Sequence, residues 1–120
     1  MKKSRLLYGL PQAVRTTGPV VIVEGPTDVW RLGGNAVGLF GKDMSRGHQD
    51  LIARYFRGRP IVLFLDRDAR EQANKLRRQL RKAGLGADRP IVIAAPPLGR
   101  NDVGDCTSEE AWACIGAALR

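Results

Sequence analysis

The sequence predicts an α/β fold: a four-stranded, mainly parallel sheet with helices on both faces. Three observations predict it. Short apolar runs at 20–23, 36–40, 61–65 and 91–95 alternate with helical patterns at about 26–33, 45–57, 69–83 and 107–119. Regular strand-helix alternation of this kind argues for a parallel sheet. The runs are continuous in apolar character, as in strands covered on both faces. Finally, acidic residues follow several runs, at the carboxyl ends of strands where open α/β sheets bind ligands.

At 120 residues the chain has the length of one domain, and its 43% apolar content supports an ordinary core. No run approaches the length of a membrane span. Met1-Lys-Lys-Ser-Arg5 carries the charge of an export signal, but the apolar stretch 6–10 is too short for one. Cys106 and Cys114 have no metal-ligand spacing and there is a single His, which excludes a small zinc site and suits reduced thiols in an intracellular, cytoplasmic protein. The charge is the informative part of the composition. Twenty Lys and Arg against twelve Asp and Glu give +8, and fifteen of the twenty are Arg, the side chain suited to bidentate phosphate contact. Such a balance points to a nucleic-acid partner over a merely solvated surface.

Residues 1–19 read as an N-terminal arm or linker ahead of a domain at 20–120. Leu6, Leu7, Tyr8 and Leu10 add a short strand or pack as an apolar arm, and Pro11, Thr16, Thr17, Gly18 and Pro19 break any long element. Val20–Val23 is a strand by composition. It runs into Glu24, then Gly25 for a tight turn, then Pro26 at the first turn of a helix. Val29, Trp30 and Leu32 are the expected buried side of that helix, and Gly33-Gly34 ends it. Asp28 either supports a site with Glu24 or stabilises the helix start through the dipole; both readings stand.

The second run, Ala36–Phe40, leads to Gly41-Lys42-Asp43. This is not a Walker loop, because the upstream Gly is misplaced and Asp43 stands where Ser or Thr is needed. Lys42 remains a candidate phosphate contact. Ser45 caps a helix whose inner side is Leu51, Ile52, Tyr55 and Phe56.

The central run, Ile61-Val-Leu-Phe-Leu65, ends in Asp66-Arg-Asp68. Side chains two apart on an extended chain point the same way, so two carboxylates would stand side by side. Their repulsion is relieved by a divalent cation such as Mg²⁺, which takes one or two carboxylates plus waters and substrate phosphates. The blander reading has Asp66 ending the strand and Asp68 capping the next helix. That helix buries Ala69, Ala73, Leu76, Leu80 and Ala83 and turns Arg70, Lys75, Arg77, Arg78, Arg81 and Lys82 outward. Its basic face is either solvated or a phosphate-backbone contact. After the strand at 91–95, a loop carries Arg100, Asp102 and Asp105, and Thr107-Ser-Glu-Glu110 forms a capping box. The last helix buries Trp112, Ile115 and Leu119. Loop turn chemistry is the alternative use of Asp102 and Asp105.

Val20-Val-Ile-Val-Glu24-Gly25 and Leu63-Phe-Leu-Asp66-Arg-Asp68-Ala69 together resemble a Toprim domain, the catalytic module of topoisomerases, bacterial-type primases and some nucleases. The resemblance spans residues 20–119. The primase branch, including phage and plasmid primases and primase-helicases, is the most similar. Its marks here are Glu24-Gly-Pro-Thr-Asp28, Ala36-Val-Gly-Leu-Phe-Gly41, Asn101-Asp-Val-Gly-Asp105 and the lead-in Leu6-Leu-Tyr-Gly-Leu10. The resemblance implies a Rossmann-like sheet. It implies an acidic catalytic site of Glu24, Asp66 and Asp68 that binds Mg²⁺ or Mn²⁺, joined by Asp102 and Asp105, with Gly25 and Asp28 in support. Lys42, Arg70, Arg77, Arg78, Arg81 and Arg100 are the expected nucleic-acid or phosphate contacts. The implied setting is DNA replication in a bacterial or phage-infected cell.

Three readings of function follow. The leading one is primase-like nucleotidyl transfer, with nucleoside triphosphates and DNA or RNA as partners, alone or with other primase or helicase domains. The second is a small nuclease using the same metal chemistry. The third is a non-catalytic module that binds nucleic acid or a replication partner. The sequence lacks a zinc-binding domain, a helicase motor and a Tyr placed for topoisomerase chemistry; Tyr8 and Tyr55 read as packing residues.

Overall fold

The computed structural model describes residues 6–41, 43–97, 99 and 103–120. Four strands, β1 (Val20–Val23), β2 (Ala36–Gly38), β3 (Ile61–Phe64) and β4 (Ile91–Ala94), form one sheet in the order β2-β1-β3-β4. Every neighbouring pair is parallel. Val21 sits opposite Ala36 on one side and Val62 on the other, and Leu63 pairs with Ile93. The expected α/β architecture is present, with a sheet parallel throughout.

Five helices accompany it: α1 (Leu10–Val14), α2 (Pro26–Leu32), α3 (Arg46–Tyr55), α4 (Arg70–Lys82) and α5 (Ser108–Leu119). Strand alternation sorts the core into two layers. Val20, Ile22, Ile61, Leu63 and Ile91 face one layer, with Ile52 and Phe56 of the α3 end and Ala73, Leu76 and Leu80 of α4. Val21, Val23, Val62, Phe64 and Ala94 face the other, with Val29 and Leu32 of α2 and Ala111 and Ile115 of α5. Burial on both sides explains why the strands read as unbroken apolar runs.

The order of strands dictates this sorting. The chain steps from β1 outward to β2 through α2, then crosses back over β1 to β3 and on to β4. Crossovers between parallel strands are right-handed, so reversing the direction of travel moves the helices to the opposite face. Accordingly α2 lies on one face and α3 and α4 on the other. The reversal leaves a crevice between the carboxyl ends of β1 and β3, where the two departing chains diverge.

Several residues depart from the expected burial. Trp30 is 69% exposed, because Val29 and Leu32 already supply the core side of the short α2. Tyr55 is exposed at the end of α3, with the Arg54 guanidinium 5.5 Å from its ring centre. Leu119 is exposed in the last turn of α5. Trp112 is half-buried, and its indole N–H donates to the Leu32 carbonyl at 3.1 Å, tying α5 to α2. The capping box of α5 is present as read, with Thr107 and Glu110 exchanging bonds.

Residues 6–19 are built into the domain. Leu7 and Ala13 are buried in the α3–α4 layer. Tyr8 adds one antiparallel bridge to the free edge of β2, exchanging backbone bonds of 2.9 and 3.0 Å with Gly38. The following Gly9 has φ +83°, and a Cβ there would lie 2.9 Å from the Ala36 carbonyl oxygen. Two side chains lock the segment down. His48 is buried; its Nδ1 accepts the Ser45 N–H at 3.0 Å, so its Nε2 carries the proton and donates to the Leu6 carbonyl at 2.8 Å. Arg59 donates to the carbonyls of Gly18 and Ala13 and to Thr16 Oγ1, and lies 5.3 Å from the centre of the Phe56 ring. Burial lowers the pKa of this guanidinium from its ordinary value.

Candidate functional site at the carboxyl ends of the strands

Glu24 directly follows β1 and Asp66 follows β3 by two residues, so both acidic residues stand at the crevice where the strand order reverses. The strands beneath them are fully buried, which makes the platform rigid. Glu24 is half-buried, and its Oε1 is shut off from solvent. Its carbonyl accepts the Gly41 N–H at 3.0 Å, which ties the end of β1 to the segment after β2. Gly25 is the N-cap of α2 in an extended conformation, φ −142°, which any residue adopts. The chain turns here without needing a glycine. A Cβ on Gly38 would press on Gly25 at 3.3 Å, so the close approach is made at Gly38.

Asp66 is half-buried and extended, with φ −60° and ψ 155°. A 3₁₀ turn at Arg67–Ala69 starts immediately after it. The two-residue alternation of an extended chain therefore stops at Asp66, and Asp68 is exposed on the turn. Neither carboxylate caps the helix: the N-cap of α4 is Ala69, with no side-chain bond, and Asp66 makes no capping bond either. Asp66 Oδ1 instead accepts the Val103 N–H at 3.2 Å.

That bond brings in the last acidic loop. Val103–Asp105 forms a 3₁₀ turn in which Val103 is buried and Asp105 exposed. The turn also leans on α2. Arg31 Nη2 donates to the Gly104 carbonyl at 3.1 Å, and the Asp28 carboxylate lies where a Gly104 Cβ would be only 3.7 Å from its Oδ1. Asp28 is thus in the first turn of α2 and beside the acidic loop at once, which accommodates both of its readings. Asp102, Arg100 and Lys42 lie outside the described residues.

On α4, Arg70, Lys75, Arg78, Arg81 and Lys82 are exposed, whereas Arg77 is half-buried with Nη2 on Asn74 Oδ1 at 3.1 Å. The helix starts beside Asp66, so its basic face runs away from the crevice. Arg67, in the turn between them, donates to the Pro96 carbonyl and links the ends of β3 and β4.

Among the described residues, no three His, Cys, Asp or Glu side chains converge to hold a metal ion. A closed protein cage is therefore not what these residues build. The donors at the crevice are hard carboxylate oxygens just beyond the ends of neighbouring strands. That set suits Mg²⁺, which binds through one or two carboxylates and completes its shell with water and substrate phosphate.

No protein-family model matches the sequence, and no curated protein matches it. Solved structures do. The zinc-binding and RNA polymerase domains of the Aquifex aeolicus primase superpose with a TM-score of 0.75 at 20% identity, over 98% of this chain and 31% of that one. The RNA polymerase domain of Mycobacterium tuberculosis primase DnaG gives 0.72 at 23% identity, over 97% and 42%. A DnaG primase catalytic domain bound to single-stranded DNA gives 0.72 at 25% identity, over 99% and 39%. The chain has the fold of a segment of primase catalytic domains. It spans about two fifths of those chains or less. No helix among the described residues is long and apolar enough to cross a membrane.

Proposed function

We propose that this chain carries a primase-like site for metal-dependent phosphoryl transfer on nucleic acid, acting alone or as one part of a larger assembly. The observation that carries this reading is the placement of Glu24 and Asp66 at the ends of adjacent strands, on either side of the strand-order reversal. The likeness to a primase catalytic domain bound to single-stranded DNA supports the choice of substrate class. In this reading Glu24 and Asp66 would hold Mg²⁺ or Mn²⁺ at the crevice together with water and substrate phosphate, and Asp68, Asp102 and Asp105 would act on it through water. The bound cation supplies neutralisation of charge on the phosphates of an incoming nucleoside triphosphate. The protein's own part is positioning. The Val103 N–H holds the Asp66 carboxylate in one orientation, and the rigid strand ends keep Glu24 beside it. Arg70, Arg77, Arg78 and Arg81, with Lys42 and Arg100, contact nucleic-acid phosphates.

The test is a calorimetric titration of Mn²⁺ into the wild type and an Asp66→Ala/Asp68→Ala variant, with and without a nucleoside triphosphate. Metal binding that is tightened by the triphosphate and lost in the variant supports the reading. Equal metal binding by the two proteins overturns it. Circular dichroism confirms that the variant remains folded.

A further inference from the structure

We infer that Trp30 and Tyr8 form a stacking platform for an unpaired nucleobase, so that single-stranded nucleic acid is held along the β2 edge. The inference rests on the proposed function only for what the strand is held for. The platform itself stands on separate residues.

Trp30 is the most exposed large apolar side chain among the described residues. An indole left in water contributes little to the core, yet this one is held in place. Its Nε1–H donates to Tyr8 Oη at 2.7 Å, and the rings meet edge to face at 6.4 Å and 67°. Tyr8 in turn meets Phe40 edge to face at 6.0 Å and 89°, while its backbone is pinned to Gly38. The indole is thus pre-organised with surface still open to solvent, which lowers the ordering cost of a stacking partner.

Beside the rings is a cleft of about 320 Å³, lined by Tyr8, Gly9, Gln12, Val29, Trp30 and Gly33, among others. This is at the small end of ligand sites. Gly9, Gly33 and Gly34 bring no side chains into its lining, and the Gln12 amide offers both a donor and an acceptor to a base edge.

The surroundings favour a polyanion. The chain carries +8, Arg15 follows Gln12 by one helical turn, and Arg31 is next to Trp30; both arginines are exposed. The row of rings also begins at the candidate site. Phe40 lies between Leu39, whose N–H donates to the Val23 carbonyl, and Gly41, whose N–H donates to the Glu24 carbonyl. Phe40 has φ +62°, the left-handed region that a bulky residue seldom occupies, and it is the one non-glycine residue there among those described. Three rings therefore run from the end of β2 outward to α2. An exposed aromatic face on which a base stacks, on a basic surface, is how proteins hold single strands without reading their sequence.

The experiment uses Trp30 as its own reporter. A Trp112→Phe variant leaves Trp30 as the sole tryptophan. It is titrated, in chelator and without divalent metal, with an oligothymidylate of about twelve nucleotides and separately with a DNA duplex. Expected results are quenching of Trp30 emission by the single strand but not the duplex. In the Trp112 background, Trp30→Ala should bind the single strand about tenfold more weakly, with Trp30→Phe recovering most of the affinity. A single strand that binds without quenching, or binds Trp30→Ala as tightly as wild type, overturns the platform. So does a change of oligomeric state in Trp30→Ala by sedimentation, which would assign the face to a second copy of the chain. Because no metal is present, these outcomes are independent of the Asp66 and Asp68 titration, and either reading can fail alone.

Discussion

The carboxyl ends of β1 and β3 and the outer edge of β2 are built from opposite materials. At the strand ends the chemistry-bearing groups are acidic and half-buried, and backbone elements hold them: two fully buried strands and the Val103 N–H on Asp66. At the edge they are aromatic and partly exposed, and they hold one another, through the Trp30–Tyr8 hydrogen bond and two edge-to-face contacts. In the proposed function the first arrangement fixes charge where phosphoryl transfer needs it. The second is the surface inferred to take a single strand. The contrast teaches that exposure of a side chain and its immobilisation are separate properties, and that a binding surface needs both.

Four substitutions test this contrast. The largest effect is expected at the strand ends. Asp66→Asn keeps an acceptor for the Val103 N–H but removes the charge, so metal-dependent nucleotide transfer should fall by at least about a hundredfold. Thermal unfolding should change little, which separates chemistry from folding. Next comes Gly9→Ala at the base of the edge. It forces a positive φ on an L-residue and sets a Cβ against the Ala36 carbonyl, so a loss of about 2–3 kcal/mol is expected in urea unfolding. If stability is unchanged, the Tyr8 bridge is not held as described. His48→Ala removes both the capping bond and the tie to Leu6 and should cost about 1–2 kcal/mol by the same measurement. The smallest effect belongs to the basic helix. Arg78→Ala/Arg81→Ala should weaken oligonucleotide binding severalfold and flatten the slope of log affinity against log salt by about 1–2. An unchanged slope would remove α4 from the nucleic-acid contact.

Legibility in the sequence divided along physical lines. The strands were readable because burial on both faces demands unbroken apolar runs, and Glu24 and Asp66 were readable because they follow such runs directly. The capping box at Thr107 was readable because its bonds are local. Trp30 is not legible as an exposed residue, because a hydrophobic residue next to a buried Val29 looks like core, although a helix of seven residues has room on its inner face for only Val29 and Leu32. The pairing of Asp66 with Asp68 rested on extended geometry that a 3₁₀ turn interrupts. His48 and Arg59 carried no sequence signal as fasteners, since their partners lie 42 residues away at Leu6 and up to 46 residues away at Ala13.

The class of fold, the basic balance of the surface and the acidic residues at strand ends follow from the chain alone, because periodicity, composition and adjacency are local properties. The tertiary structure alone decided that β1 lies between β2 and β3, and so that Glu24 and Asp66 share a crevice. It alone brought Val103 to Asp66, laid Tyr8 along β2 and left Trp30 in solvent. Each of these depends on which distant segments meet once the sheet has formed, and no pattern within a single element encodes that meeting.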